Sequence, residues 1–144
     1  MPTRYPLPSY VRRQDESDRL RPLTYPGTGV VLLLFAVDDR ASLERLESKW
    51  IPEVAEHLPS AALVLVGTKT DLRGDGDDCV TFEEGVEAAG RLNAYQYKEL
   101  SAMEDGGRKD GEVAAVFQLA IEAAVNHRFM VPKRKLKKKE CVLL

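Results

Sequence analysis

The sequence predicts an α/β fold in which a parallel sheet carries helices on its faces. Two apolar runs rich in β-branched residues, 30–37 (VVLLLFAV) and 62–66 (ALVLV), are strand-length and do not alternate. Strands buried on both faces read this way. A segment with apolar residues at helical spacing follows each run, and the alternation continues through a third, shorter strand pattern at 95–100 and a last helix. Strand–helix alternation at this spacing calls for βαβ units, hence parallel strands joined by helical crossovers.

Each element has a local signal. Asp38 and Asp39 end the first run, and Asp39 is in position to cap the next helix. That helix is predicted over 41–57, with Leu43, Leu46, Trp50, Val54 and Leu58 on one face. Pro59 and Ser60 break it, and Gly67 ends the second strand. Residues 73–78 (RGDGDD) read as a loop. Thr81 and Glu84 form a capping box for a helix reaching about Leu92. After the third strand, 105–111 reads as a loop with Asp110 as a helix cap. Val113, Val116, Phe117, Ala120, Ile121 and Ala124 then predict an amphipathic helix to about Asn126. In such sheets ligands bind beyond the carboxyl ends of the strands, so the loops after Val37, Val66 and Leu100 are the ones to read for function.

The 144 residues suffice for one domain with a core, and 44% hydrophobic with 31% charged residues is an ordinary globular mix. No apolar run approaches the roughly 20 residues of a membrane-spanning helix. Cys79 and Cys141 have no CxxC spacing, so a disulfide framework and a cysteine zinc site are not expected, and a reducing compartment fits. The net charge of -2 hides an asymmetry. Residues 128–144 carry seven basic side chains and one acid, a net of +6; the rest carries 14 basic and 22 acidic residues, a net of -8. A basic tail on an acidic body predicts a partner with a negative surface.

The loop after the second strand is Gly67-Thr68-Lys69-Thr70-Asp71. A carboxylate there can accept two hydrogen bonds from adjacent N–H groups, such as guanine presents, and a lysine stem can lie along a ring. The loop after the third strand, Ser101-Ala102-Met103, has small residues that let backbone N–H groups approach a ligand. Each pattern alone also fits a solvated loop. In this order, each after a buried strand, the two resemble the guanine-binding NKxD and SAK motifs of small GTPases. Residues 14–25 (QDESDRLRPLTY) resemble the Rho-family switch II run, residues 49–54 (KWIPEV) resemble its KW-x-PEV, and Asp71-Leu72-Arg73 follows the base motif as in Rho proteins. The resemblance covers residues 14–144.

The resemblance implies a Ras-like P-loop NTPase fold, GTP or GDP with Mg²⁺ as ligands, and roles for particular residues. Asp71 reads guanine N1 and N2, Lys69 flanks the base, the Ala102 N–H meets O6, and Thr68, Leu72, Ser101 and Met103 complete the guanine set. Thr68 and Met103 stand where the family usually has Asn and Lys. Gln14 falls where the family has the glutamine that orients the attacking water. The residues before it, Tyr10, Val11, Arg12 and Arg13, replace the family's D-T-A-G, and Tyr10 and Arg13 can serve neither the magnesium nor the γ-phosphate. No G-x-x-x-x-G-K-[ST] occurs in the sequence. That loop supplies backbone N–H groups, a lysine and a hydroxyl for phosphates and Mg²⁺. The expectation is an N-terminally shortened member, a partial fold without its first strands or P-loop, with weakened nucleotide binding and hydrolysis. Residues 1–13 are an unrelated segment without periodicity, 14–127 the shortened GTPase domain, and 128–144 the tail. In the family the strand at 30–37 lies in mid-sheet; here it becomes an apolar edge, and the isolated chain is expected to fold poorly unless another protein covers it.

The tail carries the strongest local signal. Cys141-Val142-Leu143-Leu144 fits C-a-a-X with a final Leu that favours geranylgeranyl. Lys133, Arg134, Lys135, Lys137, Lys138 and Lys139 precede it. One lipid chain anchors marginally, and basic residues at an anionic leaflet add about 1 kcal/mol each. The expected location is the cytoplasmic face of the plasma membrane or an endomembrane, with a cytosolic pool. By resemblance the partners are Rho effectors, exchange factors and prenyl-binding chaperones. Nucleic acid is not expected, because no aromatic residues interleave the charges. No metal site is expected outside the family's own: His57 and His127 lack partners at ligand spacing, and Asp75, Asp77 and Asp78 miss the EF-hand pattern because Cys79 sits at a ligand position. A second reading is a prenylated, non-catalytic decoy that presents Asp18, Arg19, Leu20 and Arg21 to effectors or chaperones.

Overall fold

In the computed structural model, residues 23, 25–74, 76 and 78–130 are described, with side chains as far as residue 127. Gln14, the residues before it, and the tail from residue 131, including Cys141 and the six basic residues, lie outside this set.

Three parallel strands form one sheet in the order β1 (Val30–Ala36), β2 (Ala62–Thr68), β3 (Gln96–Glu99). Val31 pairs with Leu63, Phe35 with Gly67, and Leu65 with Tyr97. Parallel pairing requires a crossover between each pair of strands. The first is helical from residue 40 to 57, and the second is α3 (Phe82–Arg91). A four-residue turn, α4 (Ala102–Asp105), then leads to α5 (Glu112–Met130). The predicted parallel α/β order is the observed one.

The sheet separates two apolar layers. On one side Val31, Leu33, Phe35 and Leu65 pack with Leu43, Leu46, Val54 and Leu58 of the first crossover and with Ala88 of α3. On the other, Val30, Leu32, Val64 and Val66 pack with Val116, Leu119, Ala120 and Ala123 of α5. Residues one apart in a strand belong to different layers, which is why the runs do not alternate in sequence.

Four local expectations change. The first crossover is not one uniform helix but α1 (Arg40–Arg45), a π-helical turn (Leu46–Trp50) and α2 (Ile51–His57). Pro52, at the start of α2, has no N–H to give and crowds the carbonyl four residues back, and the widened turn falls just before it. Asp39 makes no side-chain cap; its carboxylate pairs with Arg45 at 3.1 Å, and the Ser42 hydroxyl instead accepts from Ala36 N–H. At α5 it is Asp105, not Asp110, that accepts a helix N–H, from Val113. On α5, Phe117 and Ile121 are exposed and Leu119 and Ala123 take their place in the core. Val113, Val116, Ala120 and Ala124 of the predicted face do pack on the sheet, and apolar residues on either side of that face left its edge open to periodicity alone. The capping box at Thr81 and Glu84 forms as predicted.

Among the described residues β1 has no neighbour on its outer side. Leu34 is half exposed there, the one exception to burial between Val30 and Phe35. No described helix is long and apolar enough to cross a membrane.

Candidate guanine-recognition site

The loops after β2 and β3 meet at the carboxyl end of the sheet. Leu100 N–H donates to the Gly67 carbonyl at 2.9 Å, which closes the register between the two strands just before both loops begin. After Thr68 the chain turns sharply. Lys69 adopts the left-handed conformation (φ 60°), and Thr70–Leu72 form a single 3-10 turn. A left-handed non-glycine residue costs about 1–3 kcal/mol and persists only where its surroundings hold it. Here the Leu72 N–H bonds to the Lys69 carbonyl and the Arg73 N–H to that of Thr70.

The turn delivers Asp71 to the second loop. The Ser101 hydroxyl, fully buried, donates to Asp71 Oδ1 at 2.6 Å. Ser101 is itself fixed: its N–H donates to Glu112 Oε2 at 2.9 Å, and its Oγ accepts from the Glu104 N–H at 3.2 Å. Asp71 is therefore anchored at one oxygen while the residue remains exposed. Lys69, Leu72, Ala102 and Met103 are exposed around it. The structure thus brings five of the seven predicted guanine residues to one surface, with Ser101 buried directly beneath Asp71. Thr68 is the exception in role, since its hydroxyl donates to the Phe35 carbonyl at 2.9 Å and ties β2 to β1.

Beneath the loops lies a network that sequence reasoning did not single out. Arg73 forks onto Glu99, with Nη1 at 2.9 Å and Nη2 at 2.5 Å, and Nη2 also donates to the Val80 carbonyl at 3.0 Å. The Tyr97 hydroxyl donates to Glu99 at 2.7 Å. Tyr97 fits because glycines face it. A Cβ at Gly67 would lie 2.6 Å from its hydroxyl oxygen, and one at Gly85 would collide with its ring. The only sequence sign was Arg73, directly after the base motif. Its carboxylate partner lies 26 residues away.

Burial pushes the Glu99 carboxyl up, but the Arg73 guanidinium and the Tyr97 hydroxyl outweigh it and hold it below the ordinary value. Burial and the Glu99 charge push the Tyr97 phenol up, so it stays protonated and donating. At the surface, the hydrogen bonds from Arg40 and from the Thr81 backbone bring Glu84 down to about 2. Both carboxylates ionise more readily in the folded than in the unfolded chain. Their stabilisation is complete above the unfolded value and is lost as pH falls through the folded one. The melting temperature is expected to be level near neutrality and to drop as pH falls from about 4.5 towards 2. Replacing Arg40 with Met should flatten part of that drop, which thermal melts at stepped pH will read.

The donor set suits a planar base. Among the described residues no group of three or more His, Cys, Asp or Glu side chains is placed to hold a metal ion. One exposed carboxylate, an exposed lysine two residues before it and the backbone after Ser101 lie on adjoining loops, which is the chemistry of a planar ligand with adjacent donors. A family model described as the Ras family matches residues 13–126. Parallel sheet, flanking helices and loop positions agree with that match, and this chain belongs to the Ras family.

Proposed function

We propose that this chain is a Rho-type small GTPase by descent that recognises guanine through Asp71, Lys69 and the Ala102 backbone. The 144-residue chain holds the nucleotide weakly and hydrolyses it poorly. The carrying observation is the Ser101–Asp71 hydrogen bond, which fixes the base-reading carboxylate in place before any ligand arrives. Preorganisation of this kind lowers the cost of binding. The Rho assignment rests on the switch II, KW-x-PEV and Asp71-Leu72-Arg73 matches in the sequence.

Two charge-assisted hydrogen bonds of about 1.5–3 kcal/mol each support a dissociation constant between several millimolar and, at the tightest, roughly 0.04 mM. If the base supplies nearly all of the affinity, guanosine, GDP and GTP with magnesium should bind alike in calorimetry. Asp71→Ala should abolish the heat signal, and adenosine should give none. A GTP affinity far above that of guanosine would mean that other residues of the chain grip the phosphates. No guanosine heat at millimolar ligand would remove the base-reading role.

Membrane attachment through geranylgeranylated Cys141 and the basic run 133–139 belongs to the same proposal, as does engagement of Rho effectors, exchange factors and prenyl-binding chaperones. Prenylation in cells followed by loss of membrane pelleting in Cys141→Ser tests the first. Should guanine binding be absent while Leu20 and Arg21 remain necessary for effector capture, the decoy reading stands in place of the enzyme.

A further inference from the structure

The opposite end of the sheet carries a second concavity. A groove of about 610 Å³ opens at the amino ends of β2 and β3. Ile51, Val54, Leu58, Leu63, Leu92 and Tyr95 give it an apolar lining, and His127 of α5 forms part of its wall. Its volume lies within the range of ligand sites. Three helices end around it: α2 at His57, α3 at Arg91 and α5 at Met130. Helix carboxyl ends carry partial negative charge and favour cations. Glu56, 76% exposed, adds a full negative charge on the last turn of α2.

We propose that this groove docks the chain's own basic segment, residues 131–140 (VPKRKLKKKE), with Leu136 as its apolar anchor. Position argues for this occupant. α5 delivers the chain to the groove, since His127 lines it and the segment begins after Met130. Leu136 is six residues further on, a reach of up to roughly 20 Å. A tether of this length gives an effective concentration on the order of millimolar, so a weak site suffices. Charge argues for it as well. The net +6 of residues 128–144 meets helix carboxyl ends on a body of net -8. Leu136 stands alone among basic residues, whose stems can lie along apolar walls while their charges reach the rim. A docked segment cannot also present those lysines to a bilayer, so groove and anionic membrane compete for it. This last clause rests on the membrane reading of the tail.

The test uses the full chain with Cys79→Ser and a nitroxide on Cys141, isotopically labelled for NMR. Docking predicts that amide signals of Leu63 and Ala94 fall by about half or more, while those of Gly67 and Ala102 at the far end are spared. Leu136→Asp, or Ala55→Trp at the exposed mouth of the groove, should restore them. Equal broadening at both ends, none at either, or persistence in both variants would overturn the proposal. Broadening carried only from a spin-labelled copy to a separate isotope-labelled copy would also overturn it, since the occupant is then a second chain's tail. Sedimentation with phosphatidylserine–phosphatidylcholine vesicles reads the competition. Ala55→Trp should bind severalfold more than the parent, and equal binding would refute competition while leaving docking intact. No vesicle binding by any variant, with groove broadening present, would place the failure in the membrane reading.

Discussion

Phe35→Ala should cost about 3–5 kcal/mol, as truncation of a fully buried aromatic does. Phe35 is 1% exposed and sits in the layer formed with α1, α2 and α3. Its ring stacks on Tyr97, with centroids 6.1 Å apart and planes 11° from parallel. Its carbonyl also receives the Thr68 hydroxyl. The cavity would therefore open between β1 and the two residues that lead into the guanine loops. Native domains hold only about 5–15 kcal/mol in total, and β1 lacks an outer neighbour among the described residues. The variant should approach half unfolded in buffer, seen as a loss of most of the pre-transition baseline in urea titration. Phe35→Leu, which keeps most of the volume, should retain more than half of the lost stability. A Phe35→Ala midpoint within error of the parent would show that β1 is not packed as described.

Glu99→Ala is the second large effect, at about 2–3 kcal/mol. Glu99 is 15% and Arg73 30% exposed at the side chain, so neither charge is fully screened by water. Removing the carboxylate strands a guanidinium whose Nε already has no hydrogen-bond partner among the described residues. It also leaves the Tyr97 hydroxyl without its acceptor. The cost comes chiefly from the unpaired groups left behind and not from the attraction lost. Arg73→Met combined with Glu99→Ala should therefore be less damaging than the sum of the two single changes. A double-mutant cycle in urea measures this, and strict additivity would deny the coupling. The same network joins Arg73, directly after the base motif, to β3, so Glu99→Ala should also weaken guanosine binding although Glu99 reads no base.

The elements that sequence alone determined are those with strong local signals. The runs at 30–37 and 62–66 could bury both faces only as strands with apolar layers on either side of the sheet, and the Thr81–Glu84 spacing closes a capping box through local geometry. Asp71 and Ser101 were legible as members of one site because their loops, each following a strand, together resemble the guanine motifs of small GTPases. Their hydrogen bond was not, since it depends on a turn through left-handed Lys69. The predicted α5 face held at Val113, Val116, Ala120 and Ala124, but its margin was decided by the sheet. Phe117 and Ile121 are as apolar as Leu119 and Ala123, and only the placement of α5 over Val64 and Val66 selects between them. Arg73, Tyr97 and Glu99 meet only once β2 and β3 pair in register. The groove at the foot of the sheet likewise exists only because three helices end together there. Local spacing specified the strands and the Thr81 capping box, but not the predicted caps at Asp39 and Asp110. Long-range pairing depends on burial, which sums contributions from segments far apart in the chain, and only the folded sheet brings those together.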